Sequence, residues 1–257
     1  MFSRIVEQYR DSVVVVVGTG GIGGEIAKLV APHVKCLVVA DHSAAGLDAV
    51  KQLVQDKLAS TGRLVTRQLD VRDSRAVGEF AKEIGESCGA PRFLFYTAGI
   101  LTIEPFVETA PETWERAIDV NLNGAFFCSK AIAELMIPQG RGSILILGSI
   151  AGTRARSGSR VNPVYNASKA GISAMVNGTA MQLRRHGIRI NCISPGPTDT
   201  QMMGVQPSSV HAAVKEITLD GRMNNPSEVA ELAVFVAGHG RFTGEDVGLG
   251  GGAGLGG

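Results

Sequence analysis

Short apolar runs alternate along this chain with longer segments in which apolar residues recur every three or four positions. Val13 to Val17 is five valines in succession, a strand buried on both faces as in a parallel sheet. Gly18-Thr19-Gly20-Gly21-Ile22-Gly23 follows at once, then a helical stretch to about Val30. A second strand, Val34 to Ala40, ends at Asp41, and Ala44 to Ala59 reads as a helix. Leu64 to Leu69 is a strand ending at Asp70, and Asp73 to Ser87 a helix. Arg92 to Tyr96 is the fourth strand and runs into Thr97-Ala98-Gly99. Pro111 opens a long helix to about Met136, and Ser143 to Leu147 is the fifth strand. Ala167 to Leu183 is an Ala- and Gly-rich helix, with Pro163 suited to its start. The strand Ile188 to Ile193 and a turn at Pro195-Gly196-Pro197 complete the pattern. Such repetition predicts an α/β fold, doubly wound, with right-handed crossovers and helices on both faces of the sheet. No linker-like stretch divides residues 1–257, which read as one domain.

Composition narrows the class. Of 257 residues, 44% are apolar and 19% charged, as in folded globular chains. A formal net charge of +1 gives no footprint for nucleic acid or an acidic membrane. Cys36, Cys88, Cys128 and Cys192 lie far apart without a Cys-x-x-Cys pair, which argues against a metal site or disulfide framework and for a reducing compartment. Neither a signal peptide nor a membrane span is legible, so the expected location is cytoplasmic.

Gly18, Gly20 and Gly23 have the spacing G-x-G-x-x-G between a strand and a helix, with Gly21 and Ile22 completing the turn. Glycines permit close backbone approach, and the helix start offers free N–H groups to a pyrophosphate. Asp41 ends the next strand about twenty residues on, where a carboxylate accepts from both hydroxyls of an adenosine ribose. It would repel a 2′-phosphate, and no Arg or Lys follows it, only His42 and Ser43. These residues favour NAD over NADP.

Tyr165 and Lys169 are four residues apart on one helix, so their side chains share a face. A free tyrosine, with a pKa near ~10, is a poor base at neutral pH, and a neighbouring cation favours its phenolate.

Together these pieces resemble the classical short-chain dehydrogenase/reductase family, from Val13 to about Gly252. The resemblance implies a single Rossmann-type domain with a mostly parallel seven-stranded sheet. It implies that Tyr165 is the general acid/base, that Ser149 in Leu147-Gly148-Ser149 binds the same substrate oxygen, and that Lys169 holds the nicotinamide ribose and lowers the Tyr165 pKa. Asn121 would anchor a water beside Lys169, with Asn123 a chemically similar rival. Asp70 and Val71 would border the adenine, Ala98 and Gly99 would line the cofactor, and Pro195, Gly196 and Thr198 would meet the nicotinamide amide. Asp70 also reads as a strand-end turn acid, and Pro195 to Pro197 as a rigid turn. Asn225 to Val229 resembles the opening of the family's last large helix, and a homotetramer or homodimer would pack through the helices near Pro111 and Pro163.

Three departures stand out. The glycine turn is one residue shorter than the family's, the usual Asn-Asn-Ala-Gly is Tyr96-Thr97-Ala98-Gly99, and residues 248–257 are mostly glycine, which reads as a flexible tail. On the substrate side, Ile150, Arg154, Arg156, Arg160 and Met202 flank the reacting centre. An arginine there is either a clamp for a carboxylate or phosphate, or part of a solvated loop. Met203, Val205, Ile100, Leu101 and Ile103 would add apolar wall. The expected activity is NAD(H)-dependent interconversion of a secondary alcohol and a ketone on a small molecule, with no metal. The alternatives are an NADPH-dependent ketoreductase acting on an acyl carrier, and a nucleotide-sensing protein without turnover.

Overall fold

The structure is a computed structural model and describes residues 2–153, 163–204, 212 and 216–253. Seven strands form one sheet: β1 (Val13–Val17), β2 (Cys36–Asp41), β3 (Arg63–Gln68), β4 (Phe93–Tyr96), β5 (Gly142–Leu147), β6 (Ile188–Pro195) and β7 (Asp246–Leu249). Their order is β3-β2-β1-β4-β5-β6-β7 and every pairing is parallel. The helices are α1 (Phe2–Val6), α2 (Gly21–Val30), α3 (Ala44–Val54), α4 (Ser74–Ser87), α5 (Pro111–Ile118), α6 (Gly124–Met136), α7 (Ile150–Thr153), α8 (Pro163–Leu183), α9 (Gln201–Gly204) and α10 (Pro226–Gly238). No described helix is long and apolar enough to cross a membrane.

The valine run explains the two-sided core. Alternate residues of a strand point to opposite faces, so Val13, Val15 and Val17 join one buried cluster while Val14 and Val16 join the other. Residues of α4, α6 and α8 close the first cluster; α1, α2, α3 and α10 close the second. After β3 the chain crosses to β4 on the other side of β1. That reversal opens a crevice beyond the carboxyl ends of β1 and β4, the usual ligand position in such sheets.

The long helix expected from Pro111 to Met136 is broken. Residues Asp119–Asn123 form a π-helical turn in which Gly124 N–H reaches back to Asp119 O. Two contacts of Tyr96 on β4 meet this turn. Its hydroxyl donates to Val120 O at 2.5 Å, and a Cβ on Gly124 would lie 2.5 Å from that hydroxyl.

The glycine-rich end also differs from the expected loose tail. Gly248 and Leu249 lie in β7, which runs beside β6, and Gly196 N–H donates to Leu249 O at 2.8 Å. Ala253 is buried. A strand held by backbone bonds leaves little trace in side-chain hydropathy, which is why this one escapes the sequence. Helix α8 starts at Pro163, the residue suited to that place, and takes in Tyr165, and α10 opens on a reciprocal cap between Asn225 and Glu228.

Candidate active site

Gly18 leaves β1 with φ of 100°. A Cβ there would lie 2.5 Å from Ala98 N, and one on Gly23 would lie 2.0 Å from Gly18 O, so the turn closes only without side chains at these positions. Thr97 ties the turn to β4, donating to Val17 O at 3.1 Å and Gly18 O at 2.9 Å. It thus does part of the work of the missing Asn. No side chain caps α2, and Gly24 N–H donates back to Gly20 O at 3.1 Å. An uncapped helix start in a glycine turn fits a pyrophosphate.

Asp41 stands beside this turn. Its Oδ2 accepts from Thr19 N–H at 2.6 Å and Thr19 Oγ1 at 2.8 Å, and its Oδ1 accepts from Ser43 N–H at 2.8 Å. The carboxylate is therefore both fixed in place and a brace for the shortened turn. Asp70 is engaged differently: it forms a forked ion pair with Arg72, closest at 2.6 Å, and Arg72 holds its carboxyl below the usual range. Val71 is buried against Gly124.

Across the crevice, β5 ends at Leu147 and Ser149 follows at the start of α7. On α8 the buried positions Val164, Ser168, Ile172, Val176 and Ala180 form a stripe at a spacing of four, which sets Tyr165 and Lys169 on the adjoining row. Lys169 is buried, its Nζ donating to Leu147 O at 2.8 Å and lying 5.7 Å from the centroid of the Tyr165 ring. Burial pulls its pKa down to about 8. Burial raises the Tyr165 phenol, and a hydrogen bond with Ser149 partly offsets that. The downward pull expected from Lys169 does not dominate this geometry.

Asn121 completes the group. It is fully buried in the π-helical turn, where its Oδ1 accepts from Ile100 N–H at 2.8 Å and its Nδ2 donates to Ser168 Oγ at 2.9 Å. Ser168 in turn donates to Tyr165 O at 2.8 Å. A Cβ on Gly99 would lie 3.2 Å from Asn121 Oδ1 and 3.5 Å from Lys169 Nζ, so Gly99 sits between the two. Asn123 donates instead to Asp119.

Comparison with known proteins decides the family. A family model described as enoyl-(acyl carrier protein) reductase matches residues 16–253. The chain belongs to the short-chain dehydrogenase/reductase family. It is 32% identical over 238 residues to a galactitol 2-dehydrogenase (L-tagatose-forming) of Cereibacter sphaeroides, covering 91% of each protein. It is 30% identical over 233 residues to a cis-4-hydroxycyclohexanecarboxylate dehydrogenase of Sinomonas cyclohexanicum, covering 90% of this chain and 91% of the relative. A solved short-chain dehydrogenase/reductase of Serratia marcescens superimposes with a TM-score of 0.86 at 26% identity, over 96% of this chain and 99% of that one. As a short-chain dehydrogenase/reductase, the protein is an NAD(P)-dependent oxidoreductase working between an alcohol and a carbonyl group.

Other residues named from the sequence fall around the same crevice. Thr198 is buried and donates to Gly196 O at 2.9 Å, while Asn224 fastens this loop by donating from its backbone to Pro197 O and from its side chain to Leu249 O. Ile150 opens α7, against Gly250, and Met202 is exposed on α9. Arg154, Arg156, Arg160 and Val205 lie outside the described residues. Sequence reasoning passed over Thr19, Ser168 and the Leu147 carbonyl. Ser168 had a signal, since a serine three residues after Tyr165 on a helix can reach back to its carbonyl.

Proposed function

We propose that this short-chain dehydrogenase/reductase uses NAD(H) to interconvert a secondary alcohol and a ketone on a small molecule, with Tyr165 as general acid/base. The observation that carries the reading is the meeting of Ser149, Tyr165 and Lys169 at the carboxyl end of β5. In oxidation, deprotonated Tyr165 takes the proton of the substrate hydroxyl onto its phenolic oxygen. Ser149 donates a hydrogen bond to the same substrate oxygen and stabilises the charge that develops there. The nicotinamide supplies the hydride acceptor, or the donor in reduction. Lys169 holds a cation near the phenol and, through Leu147 O, is itself held in register with Ser149. Asn121 and Ser168 brace the first turn of α8 from below and so orient Tyr165.

On the cofactor side, Gly18 to Gly23 would hold the pyrophosphate, Asp41 the adenosine ribose, Asp70 and Val71 would border the adenine, Ala98 and Gly99 would line the cofactor behind β4, and Lys169 and Thr198 would meet the nicotinamide end. The Asp41 carboxylate disfavours a 2′-phosphate, which sets NAD ahead of NADP. A substrate carrying a carboxylate accords with the arginines of residues 154–160 and with the hydroxy acid named for the Sinomonas relative. Trp114 on α5 and Met181 on α8 leave apolar surface exposed, in keeping with assembly into a dimer or tetramer through these helices.

Screening secondary alcohols, hydroxy acids among them, by NADH formation tests this reading. Tyr165→Phe removes the proton carrier and little volume. It should cut kcat by about 10²–10⁴-fold while NADH binding stays within a few-fold of the unmodified protein. A variant that keeps most of its turnover would contradict the assignment.

A further inference from the structure

At the other end of the sheet, two cysteines 52 positions apart in sequence come into contact. Cys36 opens β2 and Cys88 follows α4, and their sulfurs are 3.2 Å apart. Arg63, paired with Cys36 across β2 and β3, places Nη2 3.1 Å from Cys88 Sγ and is anchored by donating to Ser87 O at 2.5 Å. Ser87 Oγ lies 3.5 Å from the same sulfur. Cys88 is thus surrounded by a guanidinium, a hydroxyl and the Cys36 thiol. It also lines a cleft of about 410 Å³ at the amino ends of β1 and β4, walled in part by Lys35, Arg92 and Arg141. Cys128 and Cys192 are buried elsewhere, with no described cysteine partner.

We propose that Cys36 and Cys88 are a redox-active dithiol that reacts with a small hydroperoxide and closes into a reversible disulfide. Cys88 is the attacking sulfur, because it opens on the cleft and receives the donors. Burial by itself would raise its thiol, but hydrogen bonds with Ser87, Cys36 and Arg63 bring it below the ordinary value, while burial pushes the Cys36 thiol up. The Cys88 thiolate attacks one peroxide oxygen. An S–O bond forms, the O–O bond breaks, and the departing oxygen leaves as water or alcohol after taking a proton; the sulfur is oxidised by two electrons and the peroxide reduced. Cys36 then attacks the Cys88 sulfenic acid, forming the S–S bond and breaking the S–O bond, and its proton leaves with the hydroxyl as water. Forming the bond requires the sulfurs to close from 3.2 Å to about 2.05 Å. Asp41 lies at the opposite end of β2, so this chemistry is separate from the hydride site.

The experiment is peroxide treatment of the fully reduced protein, followed by alkylation and mass spectrometry. Two of the four thiols should disappear, with a loss of about 2 Da and a Cys36–Cys88 linked peptide that a dithiol reductant opens. In Cys36→Ser the reaction should stop at a sulfenic acid on Cys88, a gain of about 16 Da captured by a cyclic 1,3-dione. Arg63→Ala, altering an exposed side chain, should slow thiol loss roughly tenfold. Four persisting thiols, or loss spread evenly over Cys36, Cys88, Cys128 and Cys192 without a linked peptide, would overturn the proposal.

Discussion

Lys169 keeps its ammonium among buried atoms, and its pKa falls to about 8 from an ordinary 10.5 because burial disfavours the charged form. Between those values the unfolded chain binds more protons than the folded one, so this group's contribution to stability rises with pH across that window. At neutral pH the buried charge destabilises the fold by up to roughly 3 kcal/mol, at about 1.4 kcal/mol per pKa unit. The thermal midpoint of the wild type should therefore climb relative to that of Lys169→Met as pH is raised from 7 to 10. A gap between the two proteins that stays constant with pH would show that Lys169 titrates normally. That Tyr165, Ser149 and Lys169 come together was legible because their motif is local or fixed to strand ends. Thr19 and Arg63 were not, since each gains its partner only when neighbouring strands fall into register.

Among the elements, the contact of α7 with α8 sets the distance between Ser149 and Lys169. A Cβ on Gly152 would lie 2.5 Å from Lys169 C and 2.6 Å from Ala170 N, both of them backbone atoms that cannot swing aside. Gly152→Ala should then part the helices, lower stability by about 1–3 kcal/mol, and reduce turnover more than cofactor binding. Calorimetry with steady-state kinetics checks this; wild-type stability and turnover would contradict it. Strands β1 to β6 and most helices could be read from hydropathy, because the inner strands are short apolar runs buried on both sides and the helices repeat apolar residues at a spacing of three or four; β3, at the sheet edge, carries only the short apolar pair Leu64 and Val65. The break at Asp119–Asn123 could not, since the contacts of Tyr96 with Val120 and Gly124 that accompany it are distant in sequence and leave no mark on the hydropathy of the helix. Nor could β7, which is placed by backbone bonds to β6 among glycines. The four cysteines looked isolated for a similar reason: the packing of α4 against the sheet, not sequence spacing, brings Cys36 to Cys88.

Over the whole molecule, the parallel sheet separates two kinds of chemistry. Its carboxyl ends gather the glycine turn, Asp41, Ser149, Tyr165 and Lys169; its amino ends hold the thiol pair. The claim on which the functional account turns is that Asp41 makes the first of these sites select NAD(H). Titration of the purified protein with NADH and with NADPH, followed by reduced-nicotinamide fluorescence, tests it most directly. The account predicts that NADH binds at least about tenfold more tightly, a difference of about 1.4 kcal/mol, and that Asp41→Asn narrows the gap. Equal or tighter binding of NADPH by the unmodified protein would contradict it.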